Sequence, residues 1–123
     1  MAKLMTYKWF TTAEMRCQET KECDMKQEFM WALDELRERC GFAFKITSGY
    51  RSVKHSAERN KSNGGGTHTK GIACDIAVAD SVQRMKLVKE ALDMGFAGIG
   101  VSHSGGFVHI DMRTTTPVMW TYG

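Results

Sequence analysis

Residues 67–75 read Thr-His-Thr-Lys-Gly-Ile-Ala-Cys-Asp, and residues 107–111 read Phe-Val-His-Ile-Asp. Apolar and small or polar residues alternate from residue 71 to residue 78, which predicts a β-strand. Successive side chains of a strand point to opposite faces, so Cys74 and Asp75 are expected on different sides of the sheet. The small neighbours of Asp75 leave room for a ligand on its side.

The second segment continues the same alternation to residue 112, which places His109 and Asp111 on one face of a second strand. His68, Asp75 and His109 together supply two imidazoles and a carboxylate, a ligand set that zinc accepts. Three protein ligands leave one coordination position for water, so we predict a catalytic zinc site. A structural zinc usually has four protein ligands, and the nearest further candidate, Cys74, is expected on the opposite face.

A first helix is predicted over residues 25–40. Asp24 and Gln27 have the spacing of a capping box at its start, and Gly41 is typical of its end. The short apolar stretch at 42–47 then predicts a strand. The polar residues at 52–62 predict one or two helical turns.

A second helix is predicted over about residues 82–94, before Gly95. Asp80 and Gln83 have the spacing of its capping box. Its apolar stripe facing the core is expected to consist of Met85, Val88 and Leu92. A strand at 98–101, a turn at 103–106 and the strand at 107–112 follow, and the tail with Pro117, Trp120 and Tyr122 is expected to pack back on the body.

This order of elements predicts an α+β fold, a small antiparallel sheet packed with helices and carrying the zinc site on its open face. With 123 residues the chain is expected to form a single domain over 1–123. The glycine-rich residues 63–66 predict a loop inside that domain.

Composition excludes several classes of function. The net charge of +3 is too small and too dispersed to indicate nucleic-acid binding. No apolar run approaches the roughly 20 residues of a membrane span, so no stable membrane association is expected. The N-terminus lacks the apolar core of a secretory signal, which predicts synthesis in the cytoplasm and free thiols at the four cysteines.

The pattern His68-x-x-Gly71-x-Ala73-x-Asp75 resembles the motif of the zinc DD-peptidase and Hedgehog superfamily, whose small phage and bacterial members cleave peptidoglycan peptides. Residues 48–52, Ser-Gly-Tyr-Arg-Ser, resemble that family's arginine motif. Residues 98–100 with 107–113 resemble its terminal hairpin. The resemblance covers about residues 25–113 and follows the family's order of motifs.

The resemblance implies a D-Ala-D-Ala carboxypeptidase-like fold with His68, Asp75 and His109 as zinc ligands. It implies that Arg51 meets the substrate carbonyl or the developing oxyanion, although a salt bridge that fixes the loop is an alternative role. The implied activity is hydrolysis of an amide bond in peptidoglycan stem peptides. The implied setting is the bacterial cell wall, with the chain, expected to be a monomer, as an endolysin-like phage or prophage product.

The residue that handles protons is less well defined. Many relatives have an acid or histidine shortly before the last ligand, but the third residue before His109 is Gly106. His103 in the turn could swing over the metal and exchange a proton, although an exposed turn histidine is the simpler interpretation. Asp111 lies on the face of His109, where it can orient that ligand, hold Arg51 or accept a proton.

The missing acid also leaves room for a different class of protein. A non-catalytic, zinc-stabilised wall-binding or structural module of phage origin would keep the ligands without turnover. A phage structural protein in which the three residues do not converge is a further alternative. Which peptide bond is cleaved depends on loops 52–66 and 102–106, where sequence patterns predict least.

Overall fold

A computed structural model describes residues 7–52, 55 and 66–122. The helices are α1 (Thr12–Met15), α2 (Gln27–Cys40) and α3 (Ser81–Met94), with a 3₁₀ turn, η1, at Thr67–Lys70. The strands are β1 (Ile46–Ser48), β2 (Ala73–Ala77), β3 (Gly98–Ser102), β4 (Phe107–Asp111) and β5 (Val118–Thr121). The predicted helical turns at 52–62 lie almost entirely outside the described residues.

The strands form one sheet in the order β1-β2-β4-β3-β5. The pairs β1–β2, β2–β4 and β3–β4 are antiparallel, but β5 lies parallel to β3. The predicted α+β class is confirmed, whereas the prediction of a purely antiparallel sheet is wrong at this edge. The difference arises because the tail crosses over and returns beside β3 instead of packing only through its side chains.

Helices α2 and α3 pack on one face of the sheet. The core cluster joins sheet residues of this face to helix residues, among them Cys74, Ile76, Val108, Ile110, Phe29, Leu33 and Leu87. By strand alternation, Asp75 and His109 project from the other face. The sheet therefore separates an apolar core from a polar site, as predicted.

Helix α2 ends as predicted at Gly41, whose φ of 74° is left-handed. Its start is two residues later than predicted, because the capping box of Asp24 and Gln27 does not form. Lys26 is the N-cap and makes no side-chain cap bond. Its backbone N–H instead donates to the carbonyl of Gly71 at 2.9 Å, which attaches the start of α2 to the end of η1.

Helix α3 begins with the predicted cap, since the Asp80 carboxylate accepts from the N–H of Gln83 at 2.9 Å. The predicted core stripe is wrong. Met85 is 68% exposed and Leu92 is 52% exposed, and only Val88 of that stripe packs partly against the core. The buried residues are Leu87 and Ala91, because a second apolar series with helical spacing faces the sheet.

The predicted strand at 42–47 is shorter in the structure. Only Ile46–Ser48 pairs with β2. Phe44 is buried and its ring lies edge-on to Phe42 at 5.4 Å. The apolar character of this stretch therefore serves the core rather than the ladder.

Two further findings concern the described residues. Within residues 7–52, 55 and 66–122, no helix has the length and apolar character needed to span a membrane. All four cysteines lie among the described residues, and none of them is in a disulfide.

Candidate metal centre

Three buried residues from three different elements converge on the sheet face opposite the helices. Asp75 of β2 and His109 of β4 are directly opposite each other in the strand register. His68 reaches the same place from η1 and is also buried. One donor atom from each residue lies within 4.8 Å of the other two. The structure thus brings together the three predicted ligands.

The donor atoms form a nearly equilateral triangle. His109 Nδ1 lies 3.0 Å from Asp75 Oδ1 and 3.2 Å from His68 Nε2. His68 Nε2 lies 3.3 Å from the same Asp75 oxygen. Zinc bonds of about 2.0–2.1 Å at tetrahedral angles put donor atoms about 3.3 Å apart. The triangle therefore has the size that one tetrahedral ion requires.

In each imidazole one nitrogen faces the cluster and the other contacts an oxygen outside it. The outer contact determines which of the two nitrogens carries the proton. His68 Nδ1 lies 2.8 Å from the carbonyl oxygen of Gly49, which can only accept, so His68 Nδ1 carries the proton. His109 Nε2 lies 2.7 Å from Asp111 Oδ2, so it donates to that carboxylate. When both imidazoles are neutral, His68 Nε2 and His109 Nδ1 therefore face Asp75 Oδ1 as acceptors. Three converging acceptors need a cation between them, which is the condition that zinc would meet.

The electrostatics of the cluster agree with this need for a cation. Burial by itself raises the pKa of Asp75, but when an imidazole N–H of His109 or His68 is turned toward the carboxylate instead, hydrogen bonding and positive charge outweigh burial and lower the pKa to about 2. Burial lowers the pKa of His109, whereas Asp111 and Asp75 raise it, with a net rise. A cation bound between the three donors would stabilise the Asp75 carboxylate and compete with protons for the imidazole nitrogens.

The cluster lies in a cavity of about 580 Å³. Arg51 lines this cavity, and its Nε donates to Ser48 Oγ at 3.1 Å. A terminal nitrogen of Arg51 lies 3.8 Å from Asp75 Oδ2. The predicted arginine is therefore placed beside the ligands, on the loop that follows β1.

The match to a family model settles the family of this chain. The model, described as peptidase M15, matches residues 8–111. The chain belongs to the peptidase M15 family. No curated protein matches the chain at a significant level. The resemblance to the zinc DD-peptidase superfamily is thus confirmed, and the chain is a metallopeptidase by family.

M15 peptidases are zinc enzymes, and the cluster of His68, Asp75 and His109 fits that metal in donor type, spacing and tautomer. Each ligand also has an outer partner. His68 is held by the carbonyl of Gly49, Asp75 lies near Arg51, and His109 is held by Asp111. Such outer contacts orient metal ligands and tune their basicity.

The two candidate proton carriers of this M15 peptidase occupy different environments. His103 is exposed in the turn between β3 and β4 and does not line the cavity. Asp111 is fully buried, and both of its carboxylate oxygens accept hydrogen bonds. It pairs with Arg113 rather than with Arg51, the partner considered from the sequence. Their catalytic roles remain predictions.

The sequence patterns missed the contribution of the tail to the site. Arg113, Trp120 and Tyr122 line the cavity, although they lie beyond the residues matched by the M15 model. The ring centre of Trp120 lies 5.1 Å from that of His109. Tail packing was expected, but not contact with a ligand, because nothing in the residues from 114 onward indicated a strand parallel to β3.

Proposed function

We propose that this M15 peptidase is a zinc-dependent enzyme that hydrolyses an amide bond of peptidoglycan stem peptides, as a carboxypeptidase or endopeptidase. The observation that carries the proposal is the triangle of His68, Asp75 and His109 in an accessible cavity, with Arg51 beside it. The D-Ala-D-Ala carboxypeptidase-like fold is part of the proposal, and it is supported by the order of the motifs along the chain.

When bound at such a site, zinc polarises a carbonyl oxygen and acidifies water. The protein sets the net charge of the metal centre through its ligands. Asp75 is the one carboxylate among the three ligands and supplies their single negative charge. With two neutral imidazoles it offsets only part of a divalent charge, so the centre keeps its electrophilic character.

Arg51 supplies the second positive group beside the reacting carbonyl. Its contact with Ser48 fixes the guanidinium, which is a planar, positively charged donor group. A positioned donor aimed at a developing oxyanion contributes about 3–4 kcal/mol in sites of this kind. We assign Arg51 this role because it stands next to the ligand cluster without being a ligand.

The cavity favours an anionic peptide. Arg51, Lys70 and Arg113 line it, whereas Asp75 is the one carboxylate among the described lining residues. Stem peptides carry free carboxylates, so this balance of charge supports them as substrates. Phe107, Trp120 and Tyr122 add an aromatic wall that can contact the apolar parts of a peptide.

Proton transfer is assigned to His103 or Asp111. His103 would have to move toward the cavity from its exposed turn. Asp111 would act through the imidazole of His109, to which it is already hydrogen-bonded. Positioning of His109 is therefore the role of Asp111 that its contacts favour.

The setting that we propose is the bacterial cell wall. After synthesis in the cytoplasm, the protein would act there as an endolysin-like product of a phage or prophage. We propose that it works as a monomer, with the peptidoglycan peptide as its partner and with neither nucleic acid nor a membrane as a stable one. These points rest on the resemblance and on the modest, dispersed charge.

A second candidate is a wall-binding module that keeps zinc without turnover. The specific observation in its favour is that the described lining of the cavity contains no carboxylate besides Asp75. A peptidase commonly relies on a carboxylate or histidine that moves protons at the reacting centre. The binding module predicts retention of wall fragments without release of products.

Mass spectrometry of peptidoglycan digests separates the two candidates. The zinc-loaded protein is incubated with purified peptidoglycan and with synthetic stem peptides between pH 6 and 9. We expect peptide fragments from the wild type and none from His109→Ala at equal concentration. Absence of any fragment from the wild type would refute the peptidase, and the masses of the fragments would identify the bond cleaved.

A further inference from the structure

The imidazole of His109 is enclosed by more than its metal-facing contacts. Its Nε2 donates to Asp111 Oδ2 at 2.7 Å, and one side of the ring lies near Trp120 with an interplanar angle of 50°. The ring centres of His109 and Trp120 are 5.1 Å apart. Two neighbours thus restrict both the rotation and the tilt of this ligand.

Arg113 connects these two neighbours to each other. It donates to Asp111 Oδ1 from Nε at 2.9 Å and from its backbone N–H at 3.1 Å. It also donates to Oδ2 from a terminal nitrogen at 2.7 Å. The centre of its guanidinium lies 5.0 Å from the ring centre of Trp120. His109, Asp111, Arg113 and Trp120 therefore form a closed series of contacts, which we term the four-residue ring.

Strand β3 is shaped around this ring. Gly98 pairs with Asp111 and Gly100 pairs with His109 in the sheet register. A Cβ atom at Gly98 would collide with the carboxylate of Asp111. A Cβ atom at Gly100 would lie 2.6–2.8 Å from three indole atoms of Trp120. Both glycines are thus accounted for by the space that the four-residue ring occupies.

We propose that Arg113 and Trp120 are positioning residues that hold His109 in the orientation and tautomer required for metal binding. Both residues lie beyond the part of the chain matched by the family model. Asp111 holds His109 through a single hydrogen bond. The orientation of the Asp111 carboxylate is in turn set by three hydrogen bonds from Arg113. One hydrogen bond from Asp111 still allows the imidazole of His109 to tilt, and the neighbouring ring of Trp120 limits that tilt.

The strength of zinc binding measures this role directly. Loss of an outer partner of a metal ligand weakens metal binding by about 10–100-fold. We expect Arg113→Met and Trp120→Leu each to weaken zinc binding about tenfold, measured by competition with a chromophoric chelator. Trp120→Phe keeps a ring against His109 and is expected to stay within about threefold of wild type. Met119→Gln is the matched control, since Met119 is an exposed neighbour on β5, and its zinc affinity should equal that of the wild type.

Nitrogen-15 NMR of the zinc-loaded proteins gives a second readout that a merely stabilising role would not change. The wild type should show a slowly exchanging proton on His109 Nε2, which donates to Asp111, and this proton should exchange with water faster in Arg113→Met. Zinc affinity within twofold of wild type in both Arg113→Met and Trp120→Leu would overturn the proposal, even if both variants melt at lower temperature. Should Arg113→Met fail to fold, Arg113→Lys, which loses the bidentate contact but keeps the charge, decides by the same criterion.

The inference depends on the metal centre and not on the bond that is hydrolysed. Zinc affinity is measured without substrate. A wild-type protein that binds zinc but cleaves no peptide would therefore refute the proposed function and leave the role of the four-residue ring to its own test.

Discussion

Gly100→Ala tests the packing at the metal centre through a single methyl group. Gly100 does not adopt a left-handed conformation, so alanine suits its backbone. At such positions the replacement normally stabilises a protein by about 0.4–1 kcal/mol, through the entropy of the unfolded chain. Here the new Cβ would lie 2.6–2.8 Å from Cε2, Nε1 and Cζ2 of Trp120.

Carbon atoms in good contact are about 3.5 Å apart or more, so the indole must retreat by roughly 0.8 Å. Overpacking of this kind costs about 1–3 kcal/mol. After subtraction of the backbone gain, we expect Gly100→Ala to lower the free energy of unfolding by up to about 2.5 kcal/mol. The same replacement at a glycine with free space around it would raise the free energy of unfolding.

Urea denaturation in the presence of a chelator measures this cost without a contribution from metal binding. The matched background is Trp120→Ala, in which the colliding ring is absent and Gly100→Ala should become neutral or slightly stabilising. The double-mutant cycle should therefore give a coupling energy of about 1–3 kcal/mol. An equal cost in both backgrounds, or a gain in stability in the wild-type background, would refute the reasoning.

Three further outcomes are expected. Arg51→Met should lower kcat for a stem peptide about 100-fold and leave zinc stoichiometry unchanged, because Arg51 acts on the oxyanion and not on the metal; loss of zinc in this variant would contradict that role. Leu87→Ala should destabilise the fold by about 2–4 kcal/mol, whereas Leu92→Gln should change stability by less than about 0.5 kcal/mol in the same urea titration, since only Leu87 is buried. Burial raises the pKa of Cys40 from 9.0 to about 11. The unfolded chain therefore ionises at this thiol first, so stability should fall between pH 9 and 11 more steeply in the wild type than in Cys40→Ser; parallel pH profiles would contradict the shift.

The sequence was most informative where a local rule determines the position of a side chain. Strand alternation correctly placed Asp75 and His109 on the face away from the core, because the period of two is a property of the extended backbone. The ends of both long helices at Gly41 and Gly95 followed from the left-handed conformation that glycine adopts there.

Predictions failed where two local patterns competed or where a distant segment decided the outcome. Helix α3 carries two apolar series with helical spacing, and only packing against the sheet selects Leu87 and Ala91 over Met85 and Leu92. The start of α2 depends on the carbonyl of Gly71, which is remote in sequence.

The site shows the same division between local and distant determinants. Residue type and spacing indicate the ligands, whereas the contact of Trp120 with His109 depends on β5 pairing in parallel with β3. No local pattern encodes that pairing, since the strand partner is 20 residues away.

The three ligands are not attached to the fold in the same way. Asp75 and His109 are cross-strand neighbours, so the ladder of the sheet holds their separation whether or not an ion is present. His68 belongs to a single 3₁₀ turn, tied to the preceding loop by the bonds from His68 Nδ1 to the Gly49 carbonyl and from the Arg51 N–H to the His68 carbonyl. Short turns open far more often than central strands. Release of the ion should therefore begin with departure of His68 from the cluster. Because the backbone N–H of Arg51 donates to the His68 carbonyl, hydrogen exchange at this N–H should report how often the 3₁₀ turn opens.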